Sequence, residues 1–140
     1  MRAFLLLIAL IIFCCPGCSV STRDRIVGVW TPDQDATVLP AIAIPNIKRR
    51  VNNVLSKFVL KLRSDNTFVI ASGGAIEGKW SLEGKTITLV PKQGEMKGIL
   101  GDLLPPMKQV EVKISDDYSR LTLQHEFPVG AVILSLRKSA

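Results

Sequence analysis

From Ala75 to Leu82 apolar and polar residues alternate without a break. Ile76, Gly78, Trp80 and Leu82 fall on one face, and Glu77, Lys79, Ser81 and Glu83 on the other. A period of two is the mark of a half-buried strand, because successive side chains point to opposite faces of a sheet. Glu83-Gly84-Lys85 then supplies a tight turn, with Gly84 free to take the positive φ such a turn requires. Thr86 to Pro91 continues with Ile87 and Leu89 on one face and Thr86, Thr88 and Val90 on the other.

The same pattern runs upstream. Phe58, Leu60 and Leu62 alternate with Val59, Lys61 and Arg63; Ser64-Asp65-Asn66 is a turn; Thr67 to Ala71 is rich in β-formers; Ser72-Gly73-Gly74 is the next turn. Connections this short force antiparallel neighbours, since a parallel crossover takes a dozen or more residues. Downstream, Val110, Val112 and Ile114 alternate with polar residues, Leu121 and Leu123 define a strand over 120–124, and 131–137 is the last strand, after a loop over 125–130. With a strand at 26–30 ending at Thr31-Pro32-Asp33, the total is eight. The fold class expected is therefore all-β, an eight-stranded antiparallel up-and-down barrel. Closure at that number leaves room for side chains or one small ligand and removes exposed sheet edges.

Two segments depart from period two. Ile47, Val51, Val54, Leu55 and Phe58 recur at helical spacing, predicting a short helix over 47–55 with Asn46 as N-cap. Lys48, Arg49 and Arg50 lie mostly off its apolar stripe, so the helix either caps one end of the barrel or rests on anionic lipid. In 92–107, Met96, Ile99, Leu100, Leu103 and Leu104 also fit helical spacing, although Gly98 and Gly101 each weaken a helix by about 1 kcal/mol. This excursion is either a plug in the barrel mouth or a lid over an apolar cavity.

The N-terminus reads as an address. Arg2 precedes an unbroken apolar run from Ala3 to Phe13, too short for a bilayer span, which needs about 20 residues. Cys14, Cys15 and Cys18 follow, and they are the 3 cysteines of the chain, so none is left for a disulfide or thiolate metal site in its body. The segment resembles a bacterial lipoprotein signal, in which a small residue precedes an acylated Cys. Gly17-Cys18 fits best, with Cys15 as the fallback and an ordinary cleaved secretory signal as the bland alternative. The resemblance implies a signal over 1–17, a lipidated Cys18 with a polar tether over 18–25, and a barrel domain over 26–140. Ser19 after the Cys resembles a signal for transfer to the outer membrane, facing the periplasm. Several acyl chains (palmitate among them) would hold such a domain firmly, at about 0.8 kcal/mol per buried CH₂.

A second resemblance rests on Gly28-Val29-Trp30, Asp65-Asn66-Thr67-Phe68, Gly78-Lys79-Trp80-Ser81-Leu82 and Thr86-Ile87-Thr88-Leu89. In that order they resemble the lipocalin-like (calycin-type) domains of bacterial lipoproteins. The resemblance implies that Trp30 closes the barrel bottom with Arg137 packed over it. It also implies a membrane-tethered, non-enzymatic protein that binds an apolar or amphipathic molecule inside the barrel. The lining would be Phe58, Leu60, Phe68, Trp80, Ile87 and Val112, under a lid of Met96, Ile99 and Leu103. The competing reading is a filled barrel whose outer surface binds an envelope protein or glycan.

Other chemistries find little support. The net charge of +6 falls to +5 without Arg2 and suits either solvated polar faces or an anionic surface. A secretory signal and core-like aromatics exclude nucleic acid. The 1 histidine, His125, stands beside Glu126, but strand neighbours point to opposite faces, so the two are not a catalytic couple. No Cys/His/carboxylate spacing predicts a metal site, Asp116-Asp117 reads as a turn rather than a calcium loop, and no cofactor is expected.

Overall fold

In the computed structural model, which describes residues 20–38, 45–98, 105–127 and 130–139, the chain forms a closed barrel of eight antiparallel strands in sequence order. The strands are β1 (Gly28–Pro32), β2 (Val59–Leu62), β3 (Thr67–Ala71), β4 (Ala75–Glu83), β5 (Thr86–Pro91), β6 (Val110–Ile114), β7 (Arg120–Phe127) and β8 (Gly130–Lys138). Closure comes from β1 pairing with β8, with Trp30 opposite Lys138 and Pro32 opposite Leu136. The up-and-down barrel expected from the alternation is thus the one formed, and it is compatible with a lipocalin-like fold. The expectations for Cys18, Ile99 and Leu103 lie outside the described residues.

Inward positions make one core. Trp30, Leu60, Phe68, Ile70, Trp80, Ile87, Leu89, Val112, Leu121, Leu134 and Leu136 are all buried in a single cluster. The period of two puts them there, since every second residue of each strand faces inward. Four points differ from the sequence expectations. The stretch expected as a polar tether folds into α1 (Thr22–Ile26), capped by the Ser21 hydroxyl accepting from the Asp24 amide at 3.2 Å. Its Ile26 is fully buried, so the first strand starts at Gly28 instead of Ile26. The second helix, α2 (Pro45–Lys57), is longer than expected at both ends. It places Asn46 inside the helix, and Pro45 suits the first helical position because its missing N–H would be unpaired there anyway. Residues 92–98 are not helical: Met96 and Met107 form an antiparallel bridge, with N···O distances of 2.7 and 3.0 Å. Finally, β7 runs on to Phe127, so His125 sits in a strand opposite Val132 and not in a loop.

The two ends of the barrel are unlike. One carries α1 and the tight turns 63–66, 84–85 and 115–119. The other carries α2, the turn 72–74 and the segments 92–98 and 105–109. At this second end Val51 and Leu55 of α2, with Phe58 just beyond it, are buried against the core. Burial of such side chains contributes about 1.5–3 kcal/mol each, which is what holds a helix with no acidic residue in its first turn to balance Lys48.

Candidate functional site

The residues expected to line a ligand cavity are brought together, but against one another. Phe58 is 2% exposed, Leu60 1%, Phe68 0%, Trp80 3%, Ile87 0%, Val112 1% and Met96 0%. A side chain facing an empty space of water size or more would carry free surface, and these carry almost none. Met96, expected in a lid, is part of the core.

Both Gly-x-Trp segments pin the α1 end in the same manner. The Trp30 indole donates to the Ile26 carbonyl at 2.8 Å, and the Trp80 indole to the Arg63 carbonyl at 3.0 Å. A cation lies over each ring: Lys138 Nζ is 5.9 Å from the centre of Trp30, and the Arg23 guanidinium 5.3 Å from that of Trp80. The residue over Trp30 is therefore Lys138. Arg137, the expected one, stands opposite Thr31 on the outer face and is exposed. Each glycine marks a close approach. Gly28 has φ +145° where the Lys138 side chain crosses it, and Gly78 lies so near β5 that a Cβ would sit 2.0 Å from the Val90 carbonyl oxygen.

Cations at the α1 end are engaged in the fold. Arg23 donates to the Ser64 carbonyl, Arg25 lies 4.9 Å from the Tyr118 ring centre, and Lys85 binds Asp116 at 2.6 Å, which raises the lysine's pKa. Lys138 donates to the Arg25 carbonyl at 2.7 Å, and Arg120 pairs with the nearly buried Asp33 at 3.3 Å. On α2, Arg49, Arg50 and Lys57 are exposed, and Lys48 shares the same helix. His125 is half-buried while Glu126 is exposed, on opposite faces of β7.

A hollow lies outside the barrel, on the wall of β3, β4 and β5. It is a cleft of about 610 Å³ lined by Arg63, Thr67, Phe68, Glu77, Gly78, Lys79, Val90, Pro91 and Lys92. That volume falls in the range of small-molecule sites, about 300–1,000 Å³. Strand register assembles it: Thr67 stands opposite Lys79, Lys79 opposite Val90 and Gly78 opposite Pro91, and the Lys92 amide donates to the Glu77 carbonyl at 2.8 Å. Three cations and one carboxylate thus surround an apolar floor. Val90 is 44% exposed on an otherwise polar face. Among the described residues, Arg63, Lys79 and Lys92 make no ion pair, in contrast to Lys85 and Arg120. A second hollow of about 510 Å³ continues the cleft past Glu77, Pro91 and Lys92 to Ala75, Ile76 and Lys97.

Sequence reasoning treated Lys79 and Glu77 as a solvated strand face and missed this cleft. The available signal was Val90, an apolar residue on the threonine face of β5. No protein-family model, no curated protein and no solved structure matches this chain.

Proposed function

We propose that this chain is a lipid-anchored, non-enzymatic protein of a bacterial cell envelope, held at Cys18 in the outer membrane and related to the lipocalin-like lipoproteins, whose barrel is a packed scaffold that binds through its exterior. The observation that supports this reading is the burial of the seven described lining candidates in the core, each with almost no free surface for a carried molecule. The anchor rests on Gly17-Cys18 after the apolar run.

The filled lumen is tested by native mass spectrometry of Cys18→Ser chain secreted and purified without detergent. A bare protein mass, unchanged after incubation with envelope lipid extract and removal of excess, is the expected result for the lumen. A stoichiometric apolar mass that survives purification would instead mean a carrier. The anchor is tested separately: wild-type protein should carry acyl mass and fractionate with membranes, and Cys18→Ser should do neither.

A further inference from the structure

We propose that the outer cleft of β3, β4 and β5 binds an amphipathic anion: a single carboxylate or phosphate head on an apolar chain. The proposal rests on the reading that binding is exterior, and it names the class of ligand.

The head belongs at the Arg63–Lys79 end. Arg63 and Thr67 are joined through the Arg63 amide and the Thr67 carbonyl at 2.9 Å, and Thr67 stands opposite Lys79, so both cations flank one point of the wall. The nearby Asp65 is occupied, accepting from the Thr67 hydroxyl at 2.6 Å and from its amide at 3.0 Å, and these bonds lower its pKa. Arg63 and Lys79 form no ion pair among the described residues, although the Arg63 charge adds to the lowering of the Asp65 pKa. A bound anion would convert two solvated cations into charge-assisted contacts.

The chain belongs over Val90 and Pro91. Beyond them a second hollow runs past Ile76 to Ala75, four residues along β4 from Lys79 or about 13 Å of strand, with Gln93, Glu95 and Lys97 along its side. Glu77 and Lys92 are adjacent across β4 and β5, opposite in charge, and form a rim of no net charge. Gly78 contributes only backbone to the floor. Charge at the Arg63–Lys79 end beside the apolar floor of Val90 and Pro91 suits an amphipathic anion better than a simple inorganic one, which would use the cations alone.

The test uses the full chain with Cys18→Ser, and dodecanoate, dodecyl phosphate and dodecanol as probes in equilibrium dialysis below their aggregation range. One molecule of an anionic probe should bind per chain. Lys79→Glu and Val90→Asp should each weaken it by about tenfold or more, with melting temperature unchanged since both side chains are exposed. Dodecanol should bind about tenfold more weakly than the anions. The better of dodecanoate and dodecyl phosphate identifies the head group. Equal binding of dodecanol, indifference to both substitutions, or no binding of either anion at about 1 mM would overturn the proposal. Failure of the exterior reading has a different signature: an apolar molecule retained in the lumen through purification.

Discussion

Lys138 lies across Trp30 at the point where the barrel closes. Its ammonium is 5.9 Å from the ring centre and donates to the Arg25 carbonyl at 2.7 Å. The indole beneath it is fully buried and donates to Ile26, so one stack joins β1, β8 and α1. Trp30→Ala should cost about 3–5 kcal/mol, as for other buried aromatics cut to alanine. Lys138→Met keeps the apolar stem and loses the charge, and should cost only about 1 kcal/mol at this exposed position. Urea denaturation of both variants checks the order. Equal losses would mean that the cation, not the ring, holds the closure.

Gly78 makes a sharper case. A Cβ there would lie 2.0 Å from the Val90 carbonyl oxygen, 2.6 Å from the Phe68 ring and 2.8 Å from the Pro91 Cα. Two of those atoms are backbone and cannot swing aside. Gly78→Ala should therefore cost more than about 3 kcal/mol, in the range that marks a forced backbone shift or overpacking. Gly74→Ala has open space and no positive φ, and should be neutral or stabilising by up to about 1 kcal/mol through the unfolded chain. Similar denaturation midpoints for the two variants would contradict the close approach of β4 and β5.

How much of this was legible follows from where each signal resides. Strands announced themselves because alternation is local, and 75–91 carries it with a turn between. The closure residue did not. Register decides whether Arg137 or Lys138 shares a face with Trp30, and a slip of one residue exchanges them. The five-residue α1 is too short to show a period. Residues 92–98 form no helix because Met96 pairs with Met107, a contact eleven residues away that no local pattern encodes, while the rest of that spacing, at Ile99, Leu100, Leu103 and Leu104, lies outside the described residues. Strand composition does not say whether a lumen is full: Phe68 and Trp80 line a cavity or fill it with the same sequence. The cleft needed three strands in register before Arg63, Lys79 and Lys92 could be seen together.

Asp117 ties the β6–β7 turn. It accepts from the Ser115 hydroxyl at 2.6 Å, from the Ser119 hydroxyl at 2.7 Å and from the Ser119 amide at 3.1 Å. These bonds, led by Ser115, hold its carboxyl far below the usual carboxylate range. A depressed folded pKa contributes stability that is present above the unfolded value of about 3.9 and is lost as pH falls through the folded one. The turn should thus loosen only in acid below about pH 4, and Asp117→Asn should remove that part of the dependence. An NMR titration of the Asp117 side chain reads it directly, and a midpoint near 3.9 would contradict the turn geometry.

Anchoring at Cys18 would also fix which end of the barrel meets the bilayer. Cys18 precedes Val20 by two residues, which span about 7 Å at full extension. Val20 leads into α1, beside the turns that carry Asn66 and Lys85. The helix α2 lies at the other end, and β4, nine residues long and tilted as barrel strands are, separates the ends by about 20 Å or more. An upright domain on so short a tether would hold α2 away from the bilayer, against the expectation that Lys48, Arg49 and Arg50 rest on lipid. In acylated protein on vesicles, a fluorophore at Asn66 should be quenched strongly by lipid-borne nitroxide, and one at Asn52 of α2 weakly. The reverse order would put α2 on the membrane and require the barrel to lie on its side or invert. Equal strong quenching at both would indicate a barrel lying flat, which would bring one of its walls against the bilayer.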